Sequence, residues 1–143
     1  MKQILSVIFF ISLRLNLTSQ ENADQGKLLL EGVVKDHNEI RTLADIIIIQ
    51  ENDTLKTQTT QEGEFYLDFQ EGYLFTFIIE KEGYHSKKLL IDTRNGGQKT
   101  YEVPSEFILF KGNIKDPEPF AIIKYDSKDD YYIPEVLNNE KKK

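Results

Sequence analysis

Apolar and polar residues alternate most regularly near the middle of the chain, where Phe65, Leu67 and Phe69 occupy every second position. Such alternation predicts a β-strand with three large apolar side chains on its buried face. Gly63 precedes this strand and Gly72 follows it, and glycine adopts the positive φ of a chain reversal at little steric cost. We therefore predict a central core strand with a turn at each end.

Comparable patterns predict six further strands, at residues 28–36, 46–49, 54–60, 73–82, 85–93 and 101–110. In the first of these, Leu28, Leu30 and Val33 or Val34 compete for the inward face. A bulge at Gly32 would allow the residues on both sides of it to face the core. The four isoleucines at 46–49 are apolar on both faces, which predicts a strand buried in the middle of the fold. Pro104 predicts that the last strand lies at a sheet edge or starts after the proline.

Seven strands at this spacing, without an amphipathic helix of useful length, predict an all-β fold, a seven-stranded Greek-key β-sandwich over residues 28–110. Residues 111–119 are polar and contain two prolines, and two apolar runs then flank the turn-like residues 126–129. We predict a linker and a C-terminal β-hairpin extension over residues 111–137, which packs on the sandwich or on another protein because a lone hairpin is marginally stable. Residues 138–143 are predicted to be a disordered charged tail.

The N-terminus has the pattern of an export signal. Lys2 is followed by an apolar run that is too short to span a bilayer, which needs about 20 residues. We predict a signal peptide over residues 1–19, cleaved after Ser19, and a flexible lead over residues 20–27. The alternative is an uncleaved anchor, whereas cleavage leaves no membrane span.

Composition narrows the candidate functions. A length of 143 residues fits one domain. The net charge of −6 argues against a nucleic-acid partner. The chain has no cysteine, which excludes disulfides and thiolate chemistry, and it has two histidines, His37 and His85. We therefore predict no catalytic residue, no metal ligand and no cofactor, and expect that the chain is not an enzyme. We interpret the acidic residues 126–130 as a solvated hairpin turn rather than a calcium site.

Four motifs resemble, in their order and spacing, the carboxypeptidase regulatory-like domain. They are Gly32-Val33-Val34-Lys35-Asp36, Ala44-Asp45-Ile46-Ile47-Ile48, Thr57-Gln58-Thr59-Thr60-Gln61-Glu62-Gly63-Glu64-Phe65 and Lys81-Glu82-Gly83-Tyr84. Asp45 stands where the family usually has glycine, and Gln61 stands where it usually has aspartate. The resemblance covers residues 28–110 and implies a transthyretin-like (prealbumin-like) β-sandwich. The residues that we assign a structural role in it are Gly32, Gly63, Phe65, Leu67, Phe69, Gly83 and Tyr84.

Residues 107–110 and 122–126 also resemble the tail of standalone secreted members of this family from Gram-negative envelopes. In the family the module is non-catalytic and accompanies carboxypeptidases, surface adhesins and outer-membrane transporters. The resemblance therefore implies a non-enzymatic, exported module, periplasmic or on the cell surface of a Gram-negative bacterium. We expect it to serve in protein interaction or scaffolding, with another envelope or surface protein as its partner.

Two surface features offer further candidate sites. Phe120, Tyr125, Tyr131 and Tyr132 either form an exposed aromatic patch or attach the hairpin to its own domain. If they are exposed, the alternative function is a carbohydrate-binding or adhesin module with a glycan as ligand. Thr54, next to Asn52 and Asp53 in a predicted turn, resembles an O-glycosylation acceptor of some bacterial envelopes.

Overall fold

The computed structural model describes residues 26–59 and 62–137, and within these ranges the chain forms β-strands and no helix. The strands are β1 (Lys27–Lys35), β2 (Asp45–Gln50), β3 (Asp53–Gln58), β4 (Glu64–Gln70), β5 (Leu74–Glu80), β6 (Lys87–Asp92), β7 (Thr100–Ile108), β8 (Ala121–Asp126) and β9 (Tyr131–Val136). The all-β sandwich is confirmed. The predicted signal peptide, residues 20–25 of the predicted lead and the predicted tail lie outside the described residues. None of the elements described is a helix long and apolar enough to cross a membrane.

The nine strands form two sheets. The smaller sheet has the order β4-β1-β7, and the larger sheet has the order β3-β2-β5-β6-β8-β9. The C-terminal hairpin, β8 and β9, belongs to the larger sheet because β8 runs parallel to β6. The hairpin therefore extends the sandwich that the first seven strands build.

The core lies between the inner faces of the two sheets. Phe65 and Phe69 on β4 are buried and Leu67 is partly buried against the core, so the predicted alternation of this strand is confirmed. The ring centroid of Phe65 lies 5.8 Å from that of Phe77 and 6.0 Å from that of Phe107, in the tilted arrangements that aromatic pairs favour. The fully buried side chains include Leu28, Leu30, Val34, Ile46, Phe77, Ile79, Leu89, Ile91 and Leu109.

The predicted central position of β4 is wrong. β4 is an edge strand, and β1 occupies the centre of the smaller sheet, antiparallel to β4 and parallel to β7. Local alternation identifies a half-buried strand but carries no information about which distant segments pair with it. Gly63, with φ of 77°, is the last residue of the turn into β4, and a Cβ there would lie 2.7 Å from the carbonyl oxygen of Thr42.

The predicted bulge at Gly32 is also wrong. Leu28, Leu30 and Val34 are buried in one unbroken register, so Gly32 points inward between them. A Cβ on Gly32 would lie 2.4 Å from the carbonyl oxygen of Ser105 and 2.8 Å from Cζ of Phe65. The glycine therefore leaves room for the Phe65 ring and the β7 backbone instead of interrupting the strand.

Two further expectations concern strand burial. The four isoleucines of β2 do not lie in a strand buried on both faces, because Ile46 and Ile48 are buried whereas Ile47 and Ile49 are partly exposed. A two-layer sandwich covers only the inner face of each sheet, even for a strand with neighbours on both sides. Pro104 lies within β7 and β7 is an edge strand, as the proline predicted.

Candidate functional site

Four tyrosines close one side of the sandwich, where β7 of the smaller sheet approaches the C-terminal hairpin. We call Tyr101, Tyr125, Tyr131 and Tyr132 the tyrosine cluster. The ring centroid of Tyr101 lies 5.2 Å from that of Tyr132 and 5.7 Å from that of Tyr125, both in edge-on geometry. Tyr101 belongs to β7 and the other three belong to β8 and β9, so the cluster joins the two sheets.

Asp130, in the turn between β8 and β9, anchors the tyrosine cluster. Its Oδ1 accepts hydrogen bonds from the hydroxyls of Tyr101 (2.8 Å) and Tyr125 (2.7 Å), and its Oδ2 accepts one from Nζ of Lys99. The bond from Lys99, followed by those from Tyr125 and Tyr101, lowers the pKa of Asp130 to about 2. Burial, followed by the bond to Asp130, raises the pKa of Tyr101. The carboxylate is therefore ionised and held by three donors.

The loop after β6 lies directly on two of these hydroxyls. A Cβ on Gly96 would lie 2.1 Å from Oη of Tyr132, and a Cβ on Gly97 would lie 1.9 Å from Oη of Tyr101. Burial is the main cause, and the negative charges of Glu71 and Asp92 a smaller one, of the rise in the pKa of Tyr132 to about 12. The two glycines are therefore required for close approach to the cluster.

An open groove crosses the outer face of the smaller sheet, on the side away from the core. It encloses about 170 Å³, and its surface is mostly apolar. Leu29, Glu31, Tyr66, Asp68 and Glu102 line it from the outer face, and Leu30 and Leu67, whose side chains pack towards the core, also border it. We call it the outer groove. Tyr66 is 68% exposed, and the carboxylate-bearing residues of the lining are exposed as well. Tyr131, which is 39% exposed, lies beside the groove because its hydroxyl donates a hydrogen bond to the carbonyl oxygen of Glu102.

The four aromatics singled out in the sequence have different environments. Tyr132 is 2% exposed, and Tyr125 and Phe120 are partly buried against the core, so these three side chains attach the hairpin to the sandwich. Nζ of Lys87 lies 5.2 Å from the centroid of Phe120, within range of a cation–π contact. Tyr131, at 39%, is the most exposed of the four. We therefore retain Tyr131 in the candidate surface and assign Tyr132 to the core.

Sequence reasoning missed Tyr66, Glu102 and Asp130. Tyr66 and Glu102 lie on strands at opposite edges of the smaller sheet, and β1 between them brings them to one groove. The available signal was a tyrosine at a solvent-facing position of an otherwise polar strand face. The sequence indicates only a turn at Asp130, because its partners, Tyr101 and Lys99, are distant in sequence.

The remaining candidates lie apart from the outer groove. Thr54 is exposed on β3, an edge strand, and follows the turn that contains Asn52. Gly83 and Tyr84 lie in the connection between β5 and β6, as predicted for a turn. Nδ1 of His85 accepts a 2.9 Å hydrogen bond from the backbone N–H of Ile114 and so holds the connection between β7 and β8.

His37 lies near the connection between β5 and β6, with its ring centroid 6.0 Å from that of Tyr84. Within residues 26–59 and 62–137, no three histidine, aspartate or glutamate side chains converge in a way that could hold a metal ion. The outer groove, for its part, offers apolar contact and hydrogen bonding.

No family model matches the chain, and no curated protein matches it. Among solved structures, 3-chlorocatechol 1,2-dioxygenase from Rhodococcus opacus 1CP is 15% identical, with a TM-score of 0.46 over 60% of this chain and 60% of the enzyme. A mutant of Acinetobacter radioresistens catechol 1,2-dioxygenase is 11% identical, with a TM-score of 0.47 over 69% of this chain and 56% of that one. Hydroxyquinol 1,2-dioxygenase from Pseudomonas putida DLL-E4 is 12% identical, with a TM-score of 0.43 over 62% of this chain and 58% of the enzyme.

These comparisons correct one prediction. The expectation that the chain is not an enzyme is wrong as an inference from the sequence, because the solved structures that resemble the chain are themselves enzymes. The chain spans about 60% or less of the length of these dioxygenases. At this identity and TM-score the likeness assigns no reaction or substrate to this chain.

Proposed function

We propose that this chain is an exported β-sandwich module that binds another protein of the cell envelope or surface through its outer groove. The observation that carries the proposal is the composition of the groove. Tyr66, which is 68% exposed, and the neighbouring Tyr131, which is 39% exposed, lie at this groove with the outward-facing Leu29, and tyrosine is enriched at protein interfaces. The relation to the carboxypeptidase regulatory-like family and the envelope location belong to the same proposal and rest on the sequence motifs and the segment at residues 1–19.

The charge of the groove indicates what kind of partner it would favour. Glu31, Asp68 and Glu102 contribute carboxylates to the lining, and Glu64 lies in the adjoining depression of the same face with Tyr66. A partner segment with lysine or arginine beside an apolar anchor would complement this surface. Because exposed charges are screened by salt, such binding should weaken as the ionic strength rises.

Capture of partners from envelope extracts by the mature protein tests this proposal when it is compared between variants. Tyr66→Ala and Tyr131→Ala should each reduce capture of the same partner, since they remove the accessible rings of the outer groove. Ile40→Ala is the matched control, because Ile40 is 61% exposed but lies in the connection between β1 and β2. A partner that binds both tyrosine variants as well as the wild type would show that the outer groove is not the binding site.

A carbohydrate-binding or adhesin role is the second candidate, favoured by the exposed Tyr131 ring next to groove carboxylates. Sugar rings stack on aromatic faces while carboxylates accept hydrogen bonds from their hydroxyls. Glycan-array binding that is lost in Tyr131→Ala but insensitive to salt would support this role over a basic protein partner. An array without a reproducible ligand would remove it.

A further inference from the structure

The outer groove continues to a sheet edge, because Tyr66 and Asp68, which line it, belong to the edge strand β4. Within the described residues, four strands lie at sheet edges: β3, β4, β7 and β9. Natural edge strands are commonly protected from pairing by proline or lysine. Lys56 lies in β3, Pro104 in β7 and Pro134 in β9, whereas β4 contains neither residue type. Of these four edges, β4 is therefore the one open to a further strand.

Backbone geometry determines which groups of β4 face this edge. The N–H of Val34 on β1 donates to the carbonyl oxygen of Gly63 at 2.9 Å, which sets the alternation of the ladder. In an antiparallel ladder of this phase, Tyr66 and Asp68 direct their N–H and C=O groups away from β1, towards the open edge. The edge therefore presents two donors and two acceptors at the spacing that the next strand of a sheet requires.

The two faces of a strand added to β4 would have different surroundings. On the outer face lie Tyr66 and Asp68, both exposed. On the inner face the edge borders an opening of about 260 Å³ between the two sheets, whose lining includes Leu55, Phe69 and Phe75. Leu55, on the neighbouring edge strand β3, is 53% exposed. Because successive residues of a strand point to opposite faces, the strand that fits here alternates basic or polar residues with apolar ones.

We propose that the partner protein supplies this strand. An extended segment of the partner pairs antiparallel with β4, with a lysine or arginine opposite Asp68 and apolar residues opposite Leu67 and Phe69. The inference rests on the proposed function, since the same basic partner contacts the outer groove. Charge favours a basic strand over a second copy of β4, because β4 carries Glu64 and Asp68 and like charges on paired strands are destabilising. The apolar face of the added strand covers the opening between the sheets.

A synthetic peptide with the sequence Lys-Val-Lys-Val-Thr-Val-Lys, blocked at both ends, is the probe. In the antiparallel register its third residue, a lysine, lies opposite Asp68, and its fifth residue, a threonine, lies opposite Tyr66. Amide hydrogen exchange of the mature protein is measured with and without the peptide. Saturating peptide should slow exchange of the Tyr66 and Asp68 amides at least about ten-fold, because they become hydrogen-bonded. The amide of Leu67, which already faces β1, should change little.

N-methylation of the peptide separates backbone pairing from charge attraction. Methyl groups on the nitrogens of the third and fifth residues remove the two N–H groups that face β4, and should weaken binding at least about ten-fold. Methyl groups on the fourth and sixth residues, whose N–H groups point away from β4, are the matched control and should weaken it much less. Equal losses from the two methylated peptides would overturn the proposal, as would a peptide that does not bind.

Two variants at one position supply the measurement on the protein side. Tyr66→Ala and Tyr66→Pro both remove the ring, but the proline also removes an edge-facing N–H without breaking the ladder to β1. Circular dichroism checks that both variants are folded. Tyr66→Pro should bind the peptide at least about three-fold more weakly than Tyr66→Ala, as the loss of one hydrogen bond implies.

The outcomes separate this inference from the proposed function. Partner capture that is lost in Tyr131→Ala, together with peptide binding that is equally sensitive to both N-methylated positions, would retain the outer groove and overturn strand addition. Position-dependent N-methylation, together with partner capture that is unchanged in Tyr66→Ala and Tyr131→Ala, would support strand addition at β4 and overturn the outer groove as the binding site.

Discussion

The phenolic hydroxyl of Tyr101 donates a 2.8 Å hydrogen bond to Oδ1 of Asp130 and thereby connects β7 of the smaller sheet to the turn of the C-terminal hairpin. Tyr125 donates to the same oxygen from β8. The bond thus joins two segments that belong to different sheets and are separated by most of the linker and hairpin sequence. The hairpin, which alone would be marginally stable, is already joined to the larger sheet by the pairing of β8 with β6, and this bond links it to the smaller sheet as well.

Acid should weaken this connection. The pKa of Asp130 is lowered from its ordinary value of 3.8 to about 2 by the bonds from Lys99, Tyr125 and Tyr101. Because the pKa is lower in the folded state, the contribution of this carboxylate to stability is complete above the ordinary value and is lost as the pH falls through the folded value. The chain has no tryptophan, so near-ultraviolet circular dichroism reports on its tyrosines. We expect an acid transition in this signal.

Asp130→Asn tests whether protonation of Asp130 causes this acid transition. The amide keeps the size of the side chain but cannot ionise, so the acid transition attributed to Asp130 should disappear while the tyrosine signal at neutral pH decreases. An acid transition that is identical in the variant would assign it to other carboxylates.

The close approach of Gly97 to Tyr101 leads to a second prediction. Gly97→Ala would place a methyl group 1.9 Å from the Tyr101 hydroxyl, so the loop or the ring must shift. We expect a loss of about 1–3 kcal/mol in the free energy of unfolding, as for other overpacked sites. Chemical denaturation measures it.

Tyr101→Phe serves as the partner variant in a double-mutant cycle. Removing the hydroxyl also removes the closest contact of the new methyl group, although Cζ of Tyr101 stays 3.0 Å away. Gly97→Ala should therefore cost less in the Tyr101→Phe background than in the wild type. Equal costs in both backgrounds would show that the contact does not cause the loss.

How far the fold could be predicted depended on how local each signal is. Local patterns of apolar residues, alternating or continuous, predicted all seven strands up to Ile108, because such patterns depend on consecutive residues. Strand order was not predictable in this way, and β4 was placed at the centre of a sheet when it lies at an edge. Gly32 illustrates the same limit, since the atoms that exclude a side chain there belong to Phe65 and Ser105 on two other strands.

The inward face of β4 gives a third prediction. Phe65→Ala should lower the free energy of unfolding by about 3–5 kcal/mol, since it removes a large buried ring between two other phenylalanines. Tyr66→Ala, at the adjacent exposed position, should change it by no more than about 0.5 kcal/mol. The pair controls for strand propensity and reports only the difference between faces. Similar losses in both variants would contradict the assigned orientation of β4.

The candidate site was less predictable than the fold for a physical reason. The outer groove combines Tyr66 with Glu102, and neither residue stands out in its own segment, because a polar strand face normally faces solvent. The aromatic pattern of the hairpin indicates Tyr131 and Tyr132 equally as candidate surface residues, although Tyr132 is buried. Adjacent strand residues point to opposite faces, so a run of aromatics cannot by itself indicate which member is accessible.

Thr93 carries the last prediction, since its hydroxyl links the ends of three strands. The side chain is fully buried, its Oγ1 donates to the carbonyl oxygen of Gln70 at 2.7 Å, and the same oxygen accepts from the N–H of Tyr73 at 3.1 Å. Thr93→Val keeps the shape but leaves both backbone groups without this partner. We expect a loss of about 1–3 kcal/mol in the free energy of unfolding, the usual cost of an unsatisfied buried polar group. Thr93→Ser retains the hydroxyl and should lose less than Thr93→Val, whereas the reverse order would mean that the methyl group, not the hydrogen bonds, stabilises this junction.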